Sequence, residues 1–261
     1  MLDFVNNPGW IRIVENHNIN FKDEMEINWI DRITWHYRNY KSSFNGELSN
    51  AFLSHWSIAH AIDIESGKDP QWEPIDALSE TQLSVLKEHI KDMLDHRNIH
   101  PSKSLVGAPI LIILKPHGRT HQLCVDYLEL NRVTIVNWRL LSGIHLLLNR
   151  VQSARISTKI DLKTGFHSIC DKEGDEWKTA FFTRYGLYKY TVMPFSLANA
   201  PATSQDAMET NIRDMLHRGL LIYMDDFLIN SEIEEEQTQL VLEVLRTLKE
   251  NNLPVAADKC V

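Results

Sequence analysis

Residues 220–230 read LLIYMDDFLIN, an apolar run interrupted at its centre by two adjacent aspartates. An ionised carboxylate buried alone is costly and needs a cation, a paired charge or water at a turn. In one extended strand Tyr223 and Asp225 face one side while Met224 and Asp226 face the other, so both acids serve one site only if the chain turns there. Reading LLIYM and FLINS as the arms of a tight hairpin sets both aspartates at its tip. A solvated turn between strands is the simpler reading; a tip beside a divalent cation is the functional one.

A third acid stands in RISTKIDL, residues 155–162, where Ile156, Thr158, Ile160 and Leu162 alternate with Lys159 and Asp161. Asp161 is therefore expected on the side of its strand opposite the apolar stripe. Together with the hairpin acids it would make an oxygen-ligand site suited to Mg²⁺, which keeps waters and substrate phosphates as further ligands. Two such ions, roughly 3.5 to 4 Å apart, serve in-line phosphoryl transfer.

The rest of the chain predicts an α+β domain with helices on one face of an antiparallel sheet. Ser79 and Gln82 fit a capping box ahead of a helix whose apolar face is Leu83, Leu86, Ile90, Met93 and Leu94. APILIIL and QLCVDYLEL flank KPHGRTH as a hairpin, and TAFFTRYGLYKYTV turns near Tyr185 and Gly186. SQDAMETNIRDMLH is read as a helix with Met208, Ile212 and Met215 inward. Ser231 and Glu234 are expected to cap a last helix carrying Leu240, Val241, Val244, Leu245 and Leu248. Residues 1–59 show weak periodicity and carry no functional assignment.

Composition excludes a few classes. The longest apolar run, residues 108–114, is far short of the roughly 20 residues that span a bilayer, and the first ten residues lack the basic flank of a signal peptide. No membrane partner is expected, and the expected location is intracellular. Cys124, Cys170 and Cys260 are widely spaced, so neither a disulfide framework nor a cysteine zinc site is indicated. The spacings His96 to His100 and His117 to His121 resemble HxxxH ligand pairs without further partners. Of the net charge of −8, most belongs to residues 1–100, with 9 Lys and Arg against 16 Asp and Glu; residues 101–261 hold 18 against 19. A near-neutral second part can still contain a basic groove for nucleic acid.

A series of segments resembles the reverse transcriptases of gypsy-type long-terminal-repeat retrotransposons: HAIDIESG, PSKSLVGAPI, LCVDYLELNRVTI, STKIDLKTGFHSI, KTAFFTRYGLYKYTVMPFSLANAPATSQ, IYMDDFLINS and the closing DKC. They occur in family order over residues 60–260. The resemblance implies the fingers and palm of a right-hand polymerase, an antiparallel palm sheet backed by helices, with fingers over about 60–136 and 170–200, palm over about 137–169 and 201–261, and residues 1–59 a linker. It implies RNA-directed DNA synthesis by two-metal catalysis with Mg²⁺ or Mn²⁺, on an RNA or DNA template with primer, from deoxynucleoside triphosphates, within a retroelement polyprotein in a cytoplasmic virus-like particle or the nucleus. By position, Asp161, Asp225 and Asp226 resemble the catalytic metal ligands. Phe166 matches the aromatic gate against a 2′-hydroxyl, Leu162, Lys115, Arg119 and Gln205 the nucleotide pocket, and Tyr223, Met224, Asn199 and Pro201 the primer and template contacts.

The pattern is also broken in places. Gln122 and Leu128 stand where the family commonly has arginines that meet phosphate, Ser196 replaces the glycine of MPFGL, Ser204 an aromatic, and Cys170 a basic residue. The resemblance ends with the palm, so the thumb is expected to be absent from these residues. A decayed or domesticated element, acting without catalysis as a binding or structural module, is the alternative; a metal-dependent nuclease lacks any additional ligand or base.

Overall fold

The structure, a computed structural model, describes residues 33–44, 58–70, 72, 77–114, 121–137, 154–163, 168–216 and 218–260. In chain order the main elements are α1 (Lys41–Phe44), α2 (Glu80–Asp95), β1 (Ile99–Pro101), β2 (Ile110–Leu114), β3 (His121–Val125), α3 (Leu128–Val133), β4 (Ile156–Asp161), β5 (Phe181–Thr183), β6 (Gly186–Tyr190), α4 (Ala200–Asn211), β7 (Leu220–Tyr223), β8 (Asp226–Ser231) and α5 (Glu234–Glu250). The chain divides into two compact units, one from 1–53, 140–165 and 204–261 and the other from 54–139 and 166–203.

The first unit is built on an antiparallel sheet in the order β4-β8-β7. Its strands bury Ile160, Leu220, Phe227 and Ile229, and α5 buries Leu240, Val241, Val244, Leu245 and Leu248. That one-sided stripe is the reason α5 lies flat on a sheet. Glu234, Glu235 and Glu236 occupy its first turn, where negative charge meets the positive end of the helix dipole. The expected Ser231–Glu234 cap does not form. Ser231 is held as the last residue of β8, opposite Ile156, and its hydroxyl donates to the carbonyl of Ile233 at 2.9 Å.

Strand β4 also departs from simple alternation, because Ser157 and Thr158 are both buried. Ser157 Oγ donates to Asn230 Oδ1 at 2.7 Å and Gln237 Nε2 donates to Thr158 Oγ1 at 2.9 Å, so each face of the strand meets a polar partner. Residues 33–44, within the stretch read as a linker, are part of this unit. Ile33, Tyr37 and Phe44 are buried, Ser43 O accepts from Val255 N at 2.8 Å, and Lys249 Nζ lies 5.8 Å from the Tyr40 ring. Gly219 enters β7 at φ +97°, where a Cβ would stand 2.2 Å from the carbonyl oxygen of Asn230.

In the second unit α2 begins with the predicted capping box: Ser79 Oγ accepts from Gln82 N and Gln82 Oε1 accepts from Ser79 N. Leu83, Leu86, Ile90 and Met93 are buried. The strands pair antiparallel as β1-β6-β5 and β2-β3. The β5–β6 turn falls between Thr183 and Gly186, as its sequence predicts. Ser196 adopts φ +72°, a left-handed conformation suited to glycine. Asn131 braces its loop, donating from Nδ2 to Ser196 O and accepting from Ala198 N, both at 2.8 Å.

Candidate active site

The two aspartates of LLIYMDDFLIN occupy different parts of a hairpin. Tyr223 pairs with Asp226 across β7 and β8, leaving Met224 and Asp225 as a two-residue turn. Met224 has φ +53°, and Asp225 does not share the left-handed region. A positive φ confined to the first turn residue is the pattern of a type II′ turn, where glycine is usual.

Asp226 opens β8 directly opposite Asp161, the last residue of β4. Like charges placed opposite each other across a strand pair repel. Beyond that pair, Leu162 N donates to Asp225 O at 3.0 Å, which ties the turn to the continuation of β4. The fold thus brings Asp161, Asp225 and Asp226 together at one end of the sheet.

Two lysines balance the acids. Lys159 Nζ lies 2.9 Å from Asp226 Oδ1 and 3.6 Å from Asp161 Oδ2. Lys259 Nζ donates to Asp161 Oδ1 at 3.1 Å. Lys259 is delivered by a segment laid beside β4: Ala256 N donates to Asp161 O, Lys163 N to Pro254 O, and Leu162 bridges Val255. Neither lysine was expected at the site from the sequence. Lys159 stood in plain view beside Asp161 on the same side of its strand, whereas nothing in the spacing of DKC linked Lys259 to an acid 98 residues away.

Asp225 is the acid with least compensation. Its Oδ1 is buried without a hydrogen-bond partner among the described residues. Burial, then the charges of Asp161 and Asp226, push its carboxyl up to about 6, with Lys259 acting in the opposite direction. The Asp161 carboxyl is raised chiefly by burial, against Lys259 and Lys159.

The donor chemistry fits a hard divalent cation: three carboxylates at one sheet end, one of them with a buried oxygen still unsatisfied. No group of three His, Cys, Asp or Glu side chains among the described residues is already gathered as a metal-holding set. The lysines stand on the carboxylate oxygens instead, and the Lys259 side chain is 57% exposed.

The other expected site residues are distributed as follows. Tyr223 and Met224 are half-exposed at the hairpin, while Leu162 is buried with its N–H spent on Asp225. Gln205 is 6% exposed and its amide is spent inside the unit. Nε2 donates to Ile222 O at 2.9 Å and Glu209 Oε1 at 2.7 Å, and Oε1 accepts from Met224 N at 2.9 Å. Its amide donors are therefore not directed to a nucleotide. Asn199 and Pro201 belong to the other unit, where Asn199 is 8% exposed, donates to Ile135 O and accepts from Asn137 N. Phe166, Lys115 and Arg119 lie outside the described residues. His96 is engaged with Asp92.

The sheet order, the helices behind it and three acids at its end define the fingers-and-palm fold of a right-hand polymerase. The chain belongs to the family described as reverse transcriptase (RNA-dependent DNA polymerase), whose model matches residues 113–261. It is 35% identical over 179 residues to the Transposon Tf2-3 polyprotein of Schizosaccharomyces pombe, and 34% identical over the same length to the Tf2-7 polyprotein of that organism. Each alignment covers 69% of this chain and 13% of the polyprotein, so the chain spans about an eighth of the length of these relatives.

Among solved structures, the native prototype foamy virus protease-reverse transcriptase superposes with a TM-score of 0.72 at 20% identity, over 86% of this chain and 30% of that one. The foamy viral enzyme in complex with an RNA/DNA hybrid gives 0.70 at 18%, over 94% and 32%. These likenesses establish the fold. The retrotransposon relatives agree with the gypsy-type resemblance of the motifs, and divalent metal ions are general to the family.

Proposed function

We propose that this chain carries the polymerising site of an RNA-directed DNA polymerase, adding deoxynucleotides to a primer paired with an RNA or DNA template, as part of a retroelement polyprotein. The observation that carries this reading is the placement of Asp161 directly opposite Asp226, with the unsatisfied Oδ1 of Asp225 at the adjoining turn. The unit containing these acids is read as palm and the other as fingers. The expected boundaries put fingers over about 60–136 and 170–200, and the unit made of 54–139 and 166–203 supports that reading.

Asp161 and Asp225 are the principal holders of Mg²⁺ or Mn²⁺, with Asp226 more peripheral. Held there, such ions would supply the positive charge for activating an attacking hydroxyl and neutralising nucleotide phosphates. Lys159 and Lys259 neutralise the same acids when no cation does, which keeps the carboxylates together despite their mutual repulsion. Tyr223 and Met224 lie beside the primer end. Phe166 as the gate, and Lys115 and Arg119 as phosphate contacts, rest on the motif resemblance.

The test is a Mn²⁺ titration read by electron paramagnetic resonance, beside primer extension on an RNA template. Saturable Mn²⁺ binding that is lost in Asp161→Asn and Asp225→Asn is the expected result. A wild-type chain that binds no Mn²⁺ would favour the non-catalytic alternative.

A further inference from the structure

We propose that Gln205 and Glu209 of α4 are positioning residues that hold the Met224–Asp225 turn in its strained form and so place Asp225 beside Asp161. This rests on the cation-binding role of those acids proposed above. A non-glycine residue at φ +53° persists only where its surroundings fix it. Here the turn is fastened at both of its residues: Asp225 O accepts from Leu162 N, and Met224 N donates to Gln205 Oε1 at 2.9 Å.

Glu209 gives that second contact its direction. A glutamine amide can present either its oxygen or its NH₂ group to a neighbour, and the surrounding partners decide which. Gln205 Nε2 meets two acceptors, Ile222 O at 2.9 Å and Glu209 Oε1 at 2.7 Å. Both demand the NH₂ group, so the oxygen must face the N–H of Met224. Glu209 is one helical turn beyond Gln205, so the two side chains share a face of α4. The bond to the Glu209 carboxylate is charge-assisted and stronger than a neutral one. At 6% exposure the Gln205 side chain is itself largely shielded from water.

The assignment separates Gln205 from the nucleotide pocket expected of it. Its influence on chemistry runs through the backbone of Met224, which carries Asp225 as the next residue. Loss of the amide leaves the Met224 N–H and the Ile222 carbonyl without this partner and frees the turn to relax toward an unstrained form, moving Asp225.

The experiment compares wild type with Gln205→Leu, Glu209→Ala and Glu209→Gln by amide hydrogen exchange at Met224 and by Mn²⁺ affinity. In Gln205→Leu the Met224 amide should exchange roughly tenfold faster, the scale of one lost hydrogen bond. Amides of Val244 and Leu245 in α5 should change little, which a general loss of stability would not produce. Mn²⁺ should bind several-fold more weakly. Glu209→Ala should shift both readouts in the same direction by less, and Glu209→Gln, which keeps an acceptor, should restore them. Unchanged exchange at Met224 in Gln205→Leu overturns the clamp. Faster exchange with unchanged Mn²⁺ affinity overturns its role in placing Asp225. If wild type binds no Mn²⁺, the proposed function fails with the positioning role, while the exchange comparison still decides whether the clamp exists.

Discussion

Asp171 lies across a parallel bridge from His60, and both groups are buried with little to compensate their charge. Neither carboxylate oxygen of Asp171 has a hydrogen-bond partner among the described residues. His60 Nδ1 has one, Thr203 Oγ1 at 2.9 Å. Burial, then Glu176 and Asp175, raise the Asp171 carboxyl to about 8, and burial lowers His60 to about 4 against the pull of Asp175. Each group is thus held neutral in the folded chain.

The two shifts act on stability with opposite signs. The raised Asp171 makes the folded state bind more protons than the unfolded one from its ordinary value of 3.8 up to about 8, so its contribution falls as pH rises through that window. The lowered His60 makes the folded state bind fewer between about 4 and 6.5, so its contribution rises there. The two slopes offset between about pH 4 and 6.5, and Asp171 dominates above that range. Urea unfolding should therefore show a net loss of about 1 kcal/mol between pH 6.5 and 8. Asp171→Asn should abolish that loss. A wild-type profile flat to pH 8 would show that the carboxylate is compensated.

Ser196→Gly should stabilise the chain. At φ +72° a serine carries a steric cost that glycine does not, although glycine gives the unfolded chain more freedom. The expected net gain is up to about 1 kcal/mol by urea denaturation. Asn131→Ala removes both hydrogen bonds bracing that loop and should cost about 1 to 2 kcal/mol. A neutral Ser196→Gly would mean that the brace, rather than the glycine-like backbone, determines the stability of the loop.

Gly219→Ala should be among the most damaging single changes in the unit containing the acids. The new methyl would stand 2.2 Å from backbone rather than from a movable side chain, and the residue has φ +97°. Relief requires β7 and β8 to separate where Asn230 N donates to Gly219 O. A loss of at least about 2 kcal/mol is expected, with the melting temperature as readout. Retention of the wild-type melting temperature would refute the close approach.

Asp225→Asn and Asp226→Asn should differ. Removing the charge of Asp225 relieves a buried oxygen that has no hydrogen-bond partner among the described residues, so metal-free stability should rise. It should also remove most of the Mn²⁺ response of the melt. Asp226, 45% exposed at its side chain and paired with Lys159, should matter less to both measurements. Equal behaviour of the two variants would contradict the proposed division between them.

Much of this site could be read from short-range pattern. Two acids in an apolar run force a turn, and β7 and β8 supply one; Ser79 and Gln82 announce a helix start, and α2 begins there. Interactions set by distant partners could not be read in the same way. Ser231 would serve as a cap in isolation, but pairing with Ile156 claims its backbone for the sheet. Ser157 looks solvent-facing until Asn230 is placed opposite it. Lys259 and the segment 33–44 contribute through tertiary contacts that leave no periodic trace.

The pairing of β4 with β8 has a consequence for biosynthesis. Ser157 and Asn230, opposite each other in that ladder, are 73 residues apart, and between them lies part of the other unit. The β7–β8 hairpin closes a two-residue loop, a microsecond event on the scale of isolated hairpins, whereas β4 must be captured across a long loop. The strand bearing Asp161 therefore emerges from the ribosome well before the strand that bears Asp226 exists. Until β8 arrives, β4 is an unpaired edge, open to pairing with another nascent chain. Lys159, at its centre, is the kind of charge that discourages such pairing. The residue that balances the acids in the finished site would thus also guard its strand during synthesis.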